Sequence, residues 1–272
     1  MCLLVLAWQA HARYRLVVAA NRDEYHERPA APLAKWPAPA QLLAGRDLRA
    51  QGTWLGIDRQ RRFGVVTNFR ELQRTRAGAP SRGDLIPSYL EADAGASAEA
   101  DGAARSRAGA AAFFAALAAR AHEYSGFNLL LTDEDSLWYG SNRATPFARA
   151  LPPGVYGLSN ELLDTPWPKL QRVRAGFAAW LRAPQPPAPE ELFALLADRT
   201  PAAQALPEGG LPRAWQRALS APFVLHPTYG TRCSTVLLLE PDGALHLAER
   251  RFDLRGASAG ESEFRLNRGE WP

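Results

Sequence analysis

Apolar residues near the start of the chain form two nearly continuous runs. They cover residues 2–8 and 14–20, and the polar stretch from Gln9 to Arg13 separates them. Runs of this length and composition predict a β-hairpin whose first strand begins almost at the N-terminus. Because polar and apolar positions do not alternate, we expect both faces of these strands to be covered.

The rest of the chain divides into strand-like and helix-like segments. Strands are predicted at residues 52–58, 62–68, 127–132, 136–139, 154–159, 235–240, 245–252 and 262–266. Helices are predicted at residues 83–91, 110–122, 167–181 and 189–197. The Pro- and Ala-rich stretch 28–40 is interpreted as a connection, and residues 92–108 as a mobile surface loop. Strands joined mostly by hairpins favour an α+β fold with antiparallel sheets over a doubly wound fold.

The composition is that of a globular protein, with 272 residues of which 47% are hydrophobic. This length suits one large domain, which we place at residues 1–272. The longest apolar run is far shorter than a membrane-spanning helix, and no basic leader precedes it. The sequence therefore predicts a cytoplasmic protein without integral membrane association.

The formal charge of +4 is spread along the chain. Lys35 and Lys169 are the two lysines among the 32 basic residues, and the arginines are interspersed with acids. Without a basic block or a recognition motif, we predict no nucleic-acid partner. Two cysteines, Cys2 and Cys233, do not form a disulfide framework. The five histidines have no metal-ligand spacing, so no metal site is predicted.

The position of Cys2 has chemical consequences. If Met1 is removed, one residue carries both a thiol and an α-amino group. The amine has an ordinary pKa of about 7.7–8.0, so it can exchange protons near neutral pH and activate the thiol without a histidine. The alternative is a buried cysteine that begins a strand and has no chemical role.

Several short motifs occur in an order that identifies a family. They are Met1-Cys2, Asn21-Arg22-Asp23-Glu24, Gly52-Thr-Trp-Leu-Gly56, Thr67-Asn68, Ser81-Arg-Gly83, Gly126-Phe-Asn128, Tyr156-Gly-Leu-Ser-Asn160, Thr165-Pro-Trp167 and Tyr229-Gly-Thr-Arg232. Together they resemble the NRDE family, the transport and Golgi organisation protein 2 family. That family is distantly similar to choloylglycine hydrolases and penicillin acylases. The resemblance implies a four-layer αββα sandwich of the N-terminal-nucleophile hydrolase type.

The same resemblance implies roles for five residues. Cys2 matches the nucleophile, and Asp23 resembles the acid that holds its amino group. Asn68 falls in an oxyanion-hole segment, and Asn160 resembles the amide that donates to the oxyanion. Arg232 resembles an arginine that lies near the nucleophile and favours the thiolate. Without the resemblance, each of them has an ordinary structural reading, such as a turn, a strand end, a cap or a surface charge.

One position departs from the choloylglycine pattern. The relatives carry an arginine just before their Asn-x-Asp, and Ala20 occupies that position here. In an extended segment, Arg22 points to the face opposite Asp23, so it is not an obvious substitute. We therefore expect one cation near the thiol to be missing.

Two main functions follow from these observations. The first is cleavage or transfer of an acyl group from a small amide substrate through Cys2, which requires no cofactor. The second is a non-enzymatic cytoplasmic binding or trafficking role for haem or an acyl lipid, since the family has been linked to haem trafficking and lipid homeostasis. Haem is then a transient ligand, because no Cys-x-x-Cys-His motif is present. A third is an interaction protein without ligand chemistry. Both main functions predict a small hydrophobic or acylated ligand.

Overall fold

The computed structural model describes residues 2–37, 41–71, 78–91, 109–183, 188–203 and 211–272. The chain divides into two compact units. The first contains Met1–Arg28 and Pro153–Trp271, and the second contains Pro29–Pro152 and Pro272. A single domain over 1–272 remains a prediction, and the loop predicted at 92–108 lies outside the described residues.

The described residues form fourteen strands and five α-helices. The strands are β1 Cys2–Trp8, β2 Leu16–Tyr25, β3 Ala30–Lys35, β4 Leu42–Asp47, β5 Leu55–Asp58, β6 Phe63–Asn68, β7 Phe127–Thr132, β8 Leu137–Ser141, β9 Ala148–Leu151, β10 Gly154–Leu158, β11 Leu225–His226, β12 Tyr229–Leu239, β13 Leu245–Phe252 and β14 Ser258–Leu266. The helices are α1 Leu85–Leu90, α2 Ala110–Ala118, α3 Pro168–Leu181, α4 Pro189–Leu196 and α5 Arg213–Leu219. Short 3-10 helices lie at Arg82–Asp84 and Ala121–Glu123.

The first unit contains a seven-stranded antiparallel sheet. Its order is β10-β1-β2-β12-β13-β14, and β11 pairs with β12. One face of β1, with Leu3 and Val5, packs in the same core as Leu170 and Phe177 of α3. Leu4, Leu6 and Trp8 of the opposite face are also buried, which confirms that the apolar runs are covered on both sides. We call the face that packs against α3 and α4 the helix face.

The second unit is a seven-stranded meander in the order β3-β4-β5-β6-β7-β8-β9. Helices α1 and α2 share a hydrophobic core with Leu129 and Leu131 of β7. Gly140 of β8 lies against the Phe114 ring, and a Cβ at this position would collide with it. Both sheets are antiparallel and carry helices, which confirms the α+β class. The four-layer arrangement remains a prediction.

Several predicted boundaries were wrong. The stretch 28–40, interpreted as a connection, contains β3, and Pro32 lies where the β3–β4 register shifts. Proline is tolerated there because β3 is an edge strand and a register shift removes the need for its missing N–H. Strands β4 and β9 and helix α5 were not predicted, and β12 begins at Tyr229 rather than Thr235. Among the described residues, no helix has both the length and the apolar character needed to cross a membrane.

Candidate active site

Cys2 begins β1 at the end of the sheet where β2 runs on toward Tyr25. The register of the two antiparallel strands pairs Cys2 with Arg22. Side chains of directly paired residues project from the same face, so Arg22 and the Cys2 thiol share the face opposite the helix face. Cys2 is half-buried. Its burial raises the pKa of the thiol above the ordinary value and the Asp23 charge adds to this rise, whereas the Arg22 charge opposes it in part.

The backbone nitrogen of Cys2 is held by a side chain from β10 and its loop. Its N–H donates to Asn160 Oδ1 at 2.7 Å. The register of β1 with β10 pairs Leu4 with Leu158, and two further residues along each strand reach Cys2 and Asn160. The Asn160 side-chain oxygen thus accepts the Cys2 N–H, a hydrogen bond that a backbone carbonyl of the neighbouring strand would normally accept. The resemblance assigned Asn160 only a donor role toward an oxyanion, so this acceptor role is additional.

The loop after β10 holds Asn160 in an unusual conformation. Asn160 is buried and has φ 60°, in the left-handed region that asparagine tolerates better than most residues. The loop is closed by Asp164, whose N–H donates to Gly157 O at 2.7 Å and whose Oδ1 accepts from Gly157 N at 2.8 Å. Arg174 Nη1 of α3 donates to the same Asp164 oxygen at 2.9 Å. These contacts fix the position from which Asn160 reaches Cys2.

Asp23 contacts Cys2 through its backbone and the helix face through its side chain. Its backbone N–H donates to the Cys2 sulfur, which favours the thiolate. Its side chain lies on the helix face, where Oδ1 accepts from the Thr231 hydroxyl at 2.7 Å. Burial raises the pKa of the Asp23 carboxyl, whereas the charges of Lys169 and Arg22 lower it.

Arg22 supplies a cation near the thiol, where the sequence pattern led us to expect that one was missing. Its side chain is 6% exposed, and Glu24 Oε2 lies 3.9 Å from its Nη2. The prediction that Arg22 and Asp23 point to opposite faces is confirmed by the strand geometry. The expectation of a missing cation was wrong, because the thiol lies on the Arg22 face and not on the Asp23 face.

Cys233 lies in the same row of the sheet as Cys2. It pairs with Arg22 of β2 on one side and with Arg251 of β13 on the other. The thiol donates to Glu249, and burial together with the Glu249 charge raises its pKa well above the ordinary value. Cys2 and Cys233 are two strand spacings apart, about 9.6 Å, which is too far for a disulfide.

Buried polar residues on the helix face connect this end of the sheet to the helices. Asn21 Nδ2 donates to Leu196 O at 2.8 Å and to Pro222 O at 3.0 Å, and Ser234 Oγ donates to Asn21 Oδ1 at 2.6 Å. Lys169, in the first turn of α3, is also buried. Among the described residues, no group of three or more His, Cys, Asp or Glu is arranged to hold a metal ion.

Comparison with known families decides the relationship of the chain. The model of the family described as "Transport and Golgi organisation 2" matches residues 1–254. The chain belongs to this family. It is 33% identical over 253 residues to the Transport and Golgi organization protein 2 homolog of Bos taurus, covering 87% of this chain and 86% of the relative. The Homo sapiens homolog is 32% identical over the same extent, and the Drosophila melanogaster protein is 26% identical over 259 residues.

The five residues that the resemblance identified lie within the range matched by the family model. Cys2 contacts the side chain of Asn160 through its nitrogen and the backbone N–H of Asp23 through its sulfur. Asn68 ends β6 in the second unit, where it pairs with Phe127 and is half-buried. Its role in an oxyanion hole therefore remains a prediction.

Arg232 is placed by a β-bulge between β2 and β12. The register shifts between Thr231 and Cys233, and Arg232 is the extra residue. Its Nη1 lies 3.2 Å from His26 Nδ1 and 3.1 Å from His26 O. His26 Nε2 also lies 3.0 Å from His226 O, so both ring nitrogens have a polar partner. The described contacts of Arg232 are thus with His26, and its role beside the thiol remains a prediction.

Sequence reasoning missed Arg22 and Lys169 as members of this region. The register that brings Arg22 opposite Cys2 follows from the turn after β1, which the apolar pattern did not locate to the residue. For Lys169, the available signal was compositional, since lysine is so rare in this chain.

Proposed function

We propose that this chain hydrolyses an amide, or transfers its acyl group, through the Cys2 thiol. The observation that carries the proposal is the 2.7 Å hydrogen bond from the Cys2 nitrogen to Asn160 Oδ1. An N-terminal nucleophile needs a polar group that holds its own nitrogen beside its thiol, and Asn160 meets this need. The distant similarity of the family to N-terminal-nucleophile hydrolases supports the same reading.

Removal of Met1 converts the Cys2 N–H into an amine and completes the chemistry. The amine accepts the thiol proton as the sulfur attacks the substrate carbonyl carbon and a C–S bond forms. The proton then passes to the leaving nitrogen as the C–N bond breaks, which leaves a thioester. Water, or an acceptor amine, attacks the thioester and the thiol is restored.

Each neighbouring group supports one part of this reaction. The backbone N–H of Asp23 and the charge of Arg22 both favour the thiolate. The amide of Asn160 accepts through Oδ1, and its NH₂ group is suited to donate to the tetrahedral oxyanion. The roles that the resemblance gives to Asn68, in an oxyanion-hole segment, and to Arg232, as a positive charge that favours the thiolate, are part of the proposal and rest on that resemblance alone.

The first experiment asks whether the amine exists. Full-length protein made in cells is treated with 2-cyanobenzothiazole, which condenses with a residue carrying a free amine and an adjacent thiol. We expect one adduct, located on Cys2 by peptide mass, and none in Cys2→Ala. A retained Met1 without an adduct contradicts the proposal.

The second experiment measures turnover on a panel of fluorogenic N-acyl amides of increasing chain length. Cys2→Ala is expected to abolish hydrolysis, and Cys233→Ala is the matched control that retains it. Equal rates in wild type and Cys2→Ala, on a substrate that wild type cleaves, reject Cys2 as the nucleophile.

A second candidate is a non-enzymatic cytoplasmic binding or trafficking role. It is favoured by a cavity of about 420 Å³ in the first unit. Leu238, Leu245 and Leu266 supply apolar lining. Arg13 and Arg265 line the cavity as ion pairs with Glu240 and Glu263, so it offers charged groups of both signs to the polar end of an acyl ligand. The relatives' names refer to transport and Golgi organization, which supports a transport role.

Haem is the alternative ligand for this second candidate, and the described residues around Cys2 do not fit it. His26 has both ring nitrogens engaged, and the Cys2 sulfur accepts the Asp23 N–H. Titration of the full chain with a long-chain fatty acid, acyl-CoA and haem separates the candidates. A thermal or spectral shift that survives in Cys2→Ala supports binding, and no shift with any ligand rejects it.

A further inference from the structure

A buried lysine lies under the Cys2 site. Of the two lysines in the chain, Lys35 is exposed and Lys169 is 4% exposed. A buried ammonium is costly unless an opposite charge accompanies it. Nearly all other basic residues of the chain are arginines, so a lysine at this buried position stands out.

The fold places Lys169 and Asp23 on the same side of the first sheet. Lys169 follows Pro168 in the first turn of α3, and α3 packs on the helix face. Asp23 turns its carboxylate to that face, where Thr231 donates to it, and it is 2% exposed. The charge of Lys169 lowers the pKa of the Asp23 carboxyl, against the larger effect of burial, which raises it.

Asp23 in turn is adjacent to the nucleophile. Its N–H is bonded to the Cys2 sulfur, and the charge of its carboxylate raises the pKa of the Cys2 thiol, so we expect the same charge to act on the amine of this residue. Lys169 of α3 and Arg22 of β2 are among the charged groups that act on the Asp23 carboxyl, and the Asp23 charge in turn raises the pKa of the Cys2 thiol of β1. The Tyr229 phenol of β12 donates to the Asp23 carbonyl oxygen.

We propose that Lys169 is a positioning residue of the Cys2 site, whose ammonium is the buried counter-charge of Asp23 and keeps the Cys2 amine neutral near pH 7. The inference rests on the proposed function, in which this amine must accept the thiol proton. Without Lys169, the Asp23 carboxylate would favour the protonated form of the Cys2 amine. A protonated amine cannot act as the base. Lys169 opposes this effect and disfavours a second positive charge nearby.

The test measures the amine directly. Chains that start at Cys2 are made by precise proteolytic release from an N-terminal fusion, so processing in cells does not matter. Carbamylation by cyanate is followed from pH 5.5 to 9.5, thiol adducts are reversed, and the N-terminal peptide is quantified by mass. The rate follows the neutral amine and yields its titration midpoint.

In wild type we expect a midpoint below the ordinary value of about 7.7. In Lys169→Met it should rise by about one pH unit, a tenfold loss of neutral amine in the pH range well below both midpoints. Lys169→Arg, which keeps the charge, should stay near wild type. Lys35→Met is the matched control, because it removes the exposed lysine and should leave the midpoint unchanged.

Two results overturn the inference. One is a wild-type midpoint at or above the ordinary value, which decides the matter even if Lys169→Met does not fold. The other is an unchanged midpoint in Lys169→Met that is folded by circular dichroism. Carbamylation needs no turnover, so it is independent of the hydrolysis assay. If the midpoint rises in Lys169→Met and the wild type hydrolyses no amide, the proposed function is rejected and the effect of Lys169 on the amine stands.

Discussion

The two cysteines lie in one row of the first sheet, one on each side of Arg22, and their sulfur atoms make different hydrogen bonds. Both pair with Arg22, which lies on the strand between them. The Cys2 sulfur accepts the Asp23 N–H, whereas the Cys233 thiol donates to the Glu249 carboxylate. A bond accepted by sulfur favours the thiolate, and a bond donated by the thiol favours the protonated form. Burial raises the pKa of both thiols, and the Glu249 charge together with the direction of the hydrogen bond distinguishes Cys233 from the candidate nucleophile.

The largest expected effect is a difference in reactivity between the two thiols. Starting from chains without Met1, iodoacetamide should label Cys2 at least about 100-fold faster than Cys233, because thiolate fraction and access both favour Cys2. Peptide mass spectrometry after timed quenching measures both rates in one sample. The difference should vanish in concentrated urea. Equal native rates would show that the two environments do not differ chemically.

The next effect concerns Asn160, a partner that Cys2 has and Cys233 lacks. Asn160→Ala should lower the free energy of unfolding by about 2 kcal/mol, from the lost hydrogen bond and the left-handed backbone. Asn160→Gly accepts the backbone conformation and should cost about 1 kcal/mol. Urea unfolding measures both. If glycine is no better tolerated than alanine, the backbone conformation is not a source of strain.

Arg22 is the group that the two cysteines share. Arg22→Met should raise the pKa of the Cys2 thiol, so alkylation of Cys2 near neutral pH should slow by about tenfold and its pH profile should move upward. Arg22→Lys should restore part of the rate. The matched control is Arg265→Met, which removes an exposed arginine of β14. An unmoved profile in a folded Arg22→Met protein removes Arg22 from the site.

The smallest effect should appear at Glu249. Glu249→Gln keeps an acceptor for the Cys233 thiol and removes the negative charge, so the pKa of Cys233 should fall. Labelling of Cys233 at pH 9 should rise by about fivefold, with Cys2 unaffected. Glu263→Gln, on the exposed part of β14, serves as the control. If Cys233 remains equally slow, burial rather than Glu249 keeps it inert.

The β1–β2 hairpin shows what local pattern can predict. Its two apolar runs were visible because strands covered on both faces carry few polar positions. The end of β2 could not be located from the sequence pattern, because Asn21, Arg22 and Asp23 are polar and such residues often form turns. They stay in the strand here because Ser234, Glu24 and Thr231 supply partners from the sheet.

The sequence by itself determined the α+β class, the family and the identity of Cys2, Asp23 and Asn160 as residues to examine. These depend on local periodicity and on motifs that can be read along the chain. Only the tertiary structure decided that Arg22 lies opposite Cys2, that Asn160 holds its nitrogen and that Lys169 is buried on the side of Asp23. Each of these depends on strand register and on which face of the sheet meets a helix, and a shift of one residue would reverse the faces.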